Sequence, residues 1–403
     1  MKKILCMLMP YGGHFYPNLE LLRLFAQRGA QVVVYCDAKY QECFPGGDIQ
    51  VRDYPTAIRE YCGHMASAQT DRKRAAREYF SYMADARIYA LMQIEDLTMN
   101  RMVVEALGAA VAEFAPDVFF YDAQATFLAQ LREQIDCPQF ELNASTFVPE
   151  LWRSRRFPPY YQEILWTSYP DSISFDQILS LQRKRARRDK RPPDRSFGYL
   201  SPLLQDEAER LPATDQMLGF HLELHPQAQR AGLYVSRGTV CESYGAFLLE
   251  ETVQALAPCG EPIHVSWGGN LCSEQVLTQA NFPENVHLHA YTNQTKMLEN
   301  SKVFVTHGGI TGVREALFAH TPMLVIPANF PDYQVGQAIE AHHAGILIRN
   351  RPLDAEELRE GYEALNRHYA DYQAGAAAMV AELESYWNAY GAELVLTEGA
   401  KGM

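Results

Sequence analysis

The chain has 403 residues, a length that suits two domains, and 47% of them are hydrophobic, enough to bury two cores. Its formal net charge of −13 disfavours nucleic acid and anionic membrane as partners and leaves a small molecule as the natural ligand. Cysteines stand at Cys6, Cys36, Cys43, Cys62, Cys137, Cys241, Cys259 and Cys272 with no C-x-x-C pair, and no histidines cluster at zinc spacing, so the thiols read as reduced core residues of a cytoplasmic protein.

Two lysines and the run Ile4 to Met9 open the chain. The run is too short for a signal peptide and leads into a Gly-Gly turn, so it reads as a parallel strand covered on both faces. Pro10-Tyr11-Gly12-Gly13-His14 turns it into a helix from about Pro17, with Leu19, Leu22 and Phe25 on one side. Gly29 closes that helix and Gln31 to Cys36 forms strand two, completing a βαβ unit. The unit lacks G-x-G-x-x-G, which argues against a nicotinamide or flavin site. Residues 57 to 112 read mainly as helix, and Val118 to Tyr121 reads as a strand ending at Asp122. His14 and Asp122 each follow a strand, on the side where open α/β sheets collect ligands. Phe140 to Asn143 reads as the next strand, leading to Ser145.

From Phe147 to about Pro226 the pattern loosens: aromatics are dense, and a basic run from Arg183 to Arg191 contrasts with the acidic whole. That run reads as a solvated helix face or as a contact for an anionic acceptor or membrane surface. The aromatic loops suit a ring-bearing apolar acceptor or ordinary packing. A second α/β pattern begins at Gly232 to Ser236, followed by Arg237-Gly238-Thr239 and a helix through Ala257. Strands follow at Ile263 to Trp267, ending in Gly268-Gly269, and at Val286 to His289, ahead of Tyr291 and Gln294. No stretch is long enough to span a bilayer. The expected architecture is two doubly wound sheets facing across a cleft, with domains at 1–215 and 216–380 and a helix in 381–403 crossing back to the first.

The stretch from Val303 to Ala338 carries most of the readable chemistry. Val303-Phe304-Val305-Thr306 is a strand, Gly308-Gly309 a tight turn, and Thr311 or Gly312 the start of a helix ended by Pro322. Met323 to Ile326 follows, then a second loop bounded by prolines. A glycine turn feeding a helix N-terminus presents unpaired N–H groups and a partial positive charge, the physical requirement for holding phosphate.

With His307, Glu315, Pro322, Pro327, Asp332 and Gln334 in that order, the stretch resembles the donor-binding signature of the family 1 UDP-sugar glycosyltransferases. GGHFYPNLELLRLFAQRGAQVVV resembles the opening of the same family, and YVSRGTV its S-x-G-T turn. The resemblance implies the GT-B fold, with acceptor on the N-terminal domain and nucleotide sugar on the C-terminal one. It implies His14 as general base, with Asp122 as the carboxylate fixing its tautomer. On the donor side it implies Ser236, Gly238 and Thr239 in a turn at the site. It sets His307, Gly308, Gly309, Ile310, Thr311 and Gly312 against the diphosphate, Glu315 on ribose hydroxyls, Tyr291 on the base with Gln294 beside it, and Asp332 and Gln334 on the sugar. No D-x-D metal clamp is present, so no metal or other cofactor is expected beyond the UDP-sugar co-substrate.

The chain departs from the pattern at three places. Gly312 stands where a serine often contacts phosphate, His320 replaces a glycine, and Tyr333 separates Asp332 from Gln334 in a lengthened loop. The expected activity is inverting, metal-independent transfer of a hexosyl group, glucose first, from a UDP-sugar to a hydroxyl of a small apolar or aromatic acceptor. The alternatives are a non-catalytic nucleotide-sugar-binding or partner-activating protein, a UDP-sugar epimerase, or a lipid glycosyltransferase. Acceptor identity, the choice between UDP and dTDP, and oligomeric state are not legible.

Overall fold

The computed structural model describes residues 1–58, 86–144, 191–205, 208, 211–238, 243–269, 271–327, 330–349 and 353–398. Among them, two parallel sheets carry the chain. The first joins β1 (Lys3–Met7), β2 (Gln31–Cys36), β3 (Ile49–Asp53), β4 (Val118–Asp122), β5 (Gln139–Asn143), β6 (Arg195–Gly198) and β7 (Asp215–Met217) in the order β3-β2-β1-β4-β5-β6-β7. The second joins β8 (Leu233–Ser236), β9 (Ile263–Ser266), β10 (Val286–His289), β11 (Val303–Thr306), β12 (Met323–Val325) and β13 (Gly345–Leu347) in the order β10-β9-β8-β11-β12-β13. The longer helices are α1 (Leu19–Gln27), α2 (Ala86–Phe114), α3 (Ser243–Leu256), α4 (Leu271–Gln279), α5 (Gln294–Asn300), α6 (Ile310–Phe318), α7 (Phe330–Ala341), α8 (Ala355–Arg367) and α9 (Tyr369–Glu398).

Continuous apolar strands dictate this layering, because successive side chains point to opposite faces and both faces must then be covered. Along β1, Ile4 and Cys6 enter one core and Leu5 and Met7 the other. Along β11, Phe304 packs on one side and Val303 and Val305 on the other. Each sheet reverses its winding between two adjacent strands, β1 beside β4 and β8 beside β11. The loops leaving those strands diverge, and the crevice between them is where ligands bind in such sheets.

The lobes are tied together by α9, which packs on both α6 and α1. The Phe220 N–H donates to the Leu383 carbonyl at 3.2 Å. At Gly219, with φ of +72°, an added Cβ would stand 2.2 Å from that same carbonyl oxygen, so only glycine admits the approach.

Several elements differ from expectation. Strand β1 ends at Met7 rather than Met9, and a short helical turn, Gly12–Phe15, precedes α1. Strands β6 and β7 fall in the stretch read as loose, and β7 spans the expected boundary at 215/216. The lengthened loop before Gln334 is largely the start of α7: Pro331 stands just inside a helix and Asp332 in its first turn, where both are favoured. The helix expected within 381–403 begins earlier, as α9 from Tyr369, separated from α8 at His368. The aromatic run from Phe147 and the basic run as far as Lys190 lie outside the described residues.

Candidate active site

After β1 the chain rises through a single helical turn, Gly12–Phe15, that presents His14. Phe15 anchors the turn from below, fully buried and stacked on Tyr40 with ring centroids 4.2 Å apart. Burying such a side chain contributes roughly 2–3 kcal/mol, enough to hold a short turn that has little stability of its own. Asn18, also buried, donates from Nδ2 to the His14 carbonyl at 2.6 Å. The His14 Nδ1 lies 2.7 Å from Asp122 Oδ2 at the end of the neighbouring strand β4. A carboxylate offers only lone pairs, so Nδ1 carries the proton and Nε2 keeps its lone pair. The other carboxylate oxygen accepts from the Gln124 N–H at 2.8 Å, which fixes the orientation of Asp122. Asp122 is 1% exposed and the His14 side chain 15%, so the ring shields the acid while its own edge stays open.

In the second lobe, β11 ends in His307-Gly308-Gly309 and α6 begins at Ile310 with Gly309 as its N-cap. The first N–H groups of α6 have no partner within the helix, since the first intrahelical bond runs from Val313 to Gly309. Gly308 adopts φ of +93°, and a Cβ there would meet both Val325 and the Asp332 carbonyl at 2.9 Å. The His307 ring is wedged between two glycines: an added Cβ at Gly238 would lie 3.3 Å from its Cε1, and one at Gly309 only 2.4 Å from Nε2. Burial, helped by the charge of Arg237, pushes the His307 imidazole down to about 3, so it is neutral at physiological pH. Its Nδ1 is buried with no hydrogen-bond partner.

Other expected residues converge here. Gln294 at the start of α5 donates from Nε2 to Glu315 Oε2, and the Tyr234 hydroxyl donates to Gln294 Oε1 at 3.3 Å. Burial raises the Glu315 carboxyl above its ordinary range. Tyr291 is 67% exposed and lies over Gly269, where a Cβ would stand 2.3 Å from its hydroxyl. Across the cleft, Tyr16 is close enough to Glu315, and Lys39 to Tyr291, for each pair to interact electrostatically.

Some expected residues play less direct parts. The Ser236 hydroxyl turns inward and accepts from the Gly238 N–H at 3.3 Å, bracing the turn. Asp332 lies against Gly308 and is 7% exposed. Gln334, equally buried, is two residues further along the same helix, about 200° around its axis, so the two side chains leave in different directions. Thr239 lies outside the described residues.

Two arginines at the site carry signals that the motif reading passed over as variable positions. Arg237, between the matched Ser236 and Gly238, is 7% exposed and donates from Nη1 to the Ile326 carbonyl at 3.3 Å. That places its cation across the ends of β8 and β12, beside His307. Arg314, just before Glu315, is 1% exposed and donates from Nη1 to the Tyr199 carbonyl of the other lobe at 2.7 Å.

Two parallel α/β lobes, with a histidine–carboxylate pair on one and a glycine turn feeding a helix on the other, have the architecture of the GT-B fold. The C-terminal domain family of erythromycin biosynthesis protein CIII-like proteins matches residues 270–389. An uncharacterized UDP-glucosyltransferase, YojK of Bacillus subtilis (strain 168), is 22% identical over 390 residues, covering 92% of this chain and 91% of the relative. Among solved structures, the glycotransferase of kitacinnamycin superposes with a TM-score of 0.65 at 19% identity, over 98% of each chain. The spinosyn rhamnosyltransferase SpnG complexed with thymidine diphosphate superposes with a TM-score of 0.63 at 16% identity, over 98% of this chain and 99% of that one. These comparisons show the GT-B fold, and the sequence is similar to family 1 glycosyltransferases along nearly its whole length.

Proposed function

We propose that the protein transfers a hexosyl group, glucose first, from a UDP-sugar to a hydroxyl of a small apolar or aromatic acceptor, with inversion and without a metal ion. The observation that carries this reading is the 2.7 Å contact between His14 and Asp122 on one lobe, opposite the open N-terminus of α6 on the other. His14 Nε2 takes the proton of the acceptor hydroxyl as its oxygen attacks the anomeric carbon. The bond from that carbon to the diphosphate oxygen breaks, and its electron pair leaves with UDP. In-line displacement turns an α-linked donor into a β-glycoside. Asp122 stabilises the imidazolium that forms, and the N–H groups of α6 stabilise the charge developing on the diphosphate.

The described residues supply cationic and N–H groups for that charge: Arg237, the helix N-terminus and the glycine turn. A ribose carrying both hydroxyls would satisfy the partly buried Glu315 carboxylate better than a deoxyribose, which favours UDP over dTDP. The exposed Tyr291 ring offers a face to either pyrimidine. Cytoplasmic action agrees with free thiols at Cys6, Cys36, Cys43, Cys137 and Cys259. Among the described residues, no helix is long and apolar enough to cross a membrane.

The test is His14→Ala, assayed by mass spectrometry with UDP-glucose and a panel of phenolic and polyketide-like alcohols. Transfer is expected to fall by roughly 10²–10⁴-fold while UDP still raises the melting temperature as in the parent. Unchanged turnover would exclude the base, and preferential stabilisation by dTDP would exclude the donor choice.

A further inference from the structure

The turn that carries His14 and the helix that faces it are joined by a closed circuit of hydrogen bonds running through both lobes. From the His14 carbonyl the circuit passes to Asn18 Nδ2 at 2.6 Å, and from Asn18 Oδ1 to the Tyr199 hydroxyl at 2.7 Å. The Tyr199 carbonyl accepts from Arg314 Nη1 at 2.7 Å, which crosses to the second lobe. Arg314 Nη2 reaches Thr311 Oγ1 at 3.5 Å, and that hydroxyl donates at 3.0 Å to the carbonyl of Gly13, the residue before His14.

Asn18, Tyr199 and Arg314 are each 1% exposed, and the Tyr199–Asn18 and Arg314–Tyr199 bonds are buried from water, while the bonds of Thr311 are part-buried. The Arg314 guanidinium lies 4.4 Å from the Phe220 ring centroid and 5.7 Å from that of Tyr199, and its Nε has no partner. Among the described residues no carboxylate forms a salt bridge with it, and the neighbouring Glu315 acts on it only through longer-range attraction. A buried cation held this way is an expensive route to stability, and an apolar side chain of similar volume would pack the interface at lower cost. What the cation supplies is register, because its donors fit only one placement of α6 against Tyr199.

We propose that Arg314, Tyr199, Asn18 and the Thr311 hydroxyl act together as a positioning circuit that sets the His14 turn at a fixed distance from the donor helix. The proposal rests on the reading of His14 as the base and of α6 as the diphosphate helix. Reacting atoms must meet at about 3–3.5 Å, and a misplacement of about 1 Å costs on the order of 10²-fold in rate. No circuit member other than Thr311 borders the donor, so opening the circuit should slow turnover without weakening the nucleotide.

Tyr199→Phe removes one hydroxyl and little volume, and Thr311→Val removes the other link while keeping the backbone N–H. Each is expected to lower kcat by about 10-fold, with the KM for UDP-glucose unchanged in Tyr199→Phe and activity restored in Thr311→Ser. Because either change alone opens the circuit, the double variant should lose no more than the worse single one. A kcat within twofold of the parent in Tyr199→Phe, or losses that multiply in the double variant, would overturn the proposal. A ligand-free reading uses the NMR signal of the His14 ring, assigned by its absence in His14→Ala. That signal should shift in Tyr199→Phe, and identical signals in parent and variant would also refute the circuit. Failure of UDP to stabilise the parent would count instead against the donor reading and leave the NMR comparison to judge the circuit.

Discussion

An imidazole whose Nδ1 is held by a buried carboxylate has one nitrogen left for chemistry, and the His14 side chain is partly exposed. Asp122→Asn keeps the size of the side chain but lets its amide present an N–H to the ring, which favours the wrong tautomer. We expect kcat to fall by roughly two to three orders of magnitude with UDP affinity unchanged, as read by steady-state kinetics and calorimetry. His307 carries a second prediction, on stability. Its folded value is depressed to about 3 from an ordinary 6.5, so between those values the unfolded chain binds more protons. Stability therefore rises with pH across that window, and the contribution is lost as pH falls from about 6.5 toward 3. Urea melts from pH 4 to 7 should show a steeper acid limb for the parent than for His307→Gln, and parallel limbs would refute the assignment. Arg237→Met should weaken UDP by about 10-fold while leaving uridine binding alone, because a charge-assisted contact of roughly 1.5 kcal/mol or more acts only on phosphate.

Backbone conformation decides the element scale. At Gly309 a methyl group would collide with the His307 ring, and at Gly308 it would meet positive φ and two close neighbours. Gly309→Ala should abolish stabilisation by UDP in a thermal-shift assay and destabilise the fold by about 1–3 kcal/mol, a range typical of strained or overpacked sites. Unaltered UDP stabilisation would show that the turn is not the phosphate cradle. This turn and its helix were legible because glycine, β-branched runs and proline punctuate the sequence from Val303 to Pro322 directly. The pairing of His14 with Asp122 was implied by the family resemblance, His14 following β1 and Asp122 ending β4. Strands β6 and β7 were not, because Arg195-Ser196-Phe197-Gly198 and Asp215-Gln216-Met217 are short and mixed in polarity, and register against β5 makes them strands. Helix α7 was misread as loop because Pro331 marks a helix start as readily as a break. Arg314 escaped for a different reason: nothing local to α6 shows that this side chain meets Tyr199, 115 positions away.

At the scale of the whole molecule, α9 holds the lobes in mutual register. Trp387 packs against the core of the first lobe while Met379 and Leu383 belong to that of the second. Gly219 is the point of closest approach, where a Cβ would press on the Leu383 carbonyl and stand 2.4 Å from the Trp387 nitrogen. Gly219→Ala should cost about 1–3 kcal/mol in urea unfolding and lower turnover, because a loosened α9 frees the lobes to drift. Full activity at normal stability would show that α9 is a passenger.

The platform proposed for the nucleobase is a single solvent-facing ring, Tyr291, laid on the backbone of Gly269. On the proposed reading, the grip on the leaving group comes chiefly from peptide N–H groups, which no exchange of side chain other than to proline removes. Donor preference and bond-making are therefore separable traits in this scaffold. Exchanging the ring at 291 should change which activated sugar is accepted while leaving the chemical step as fast as before for any donor that still seats.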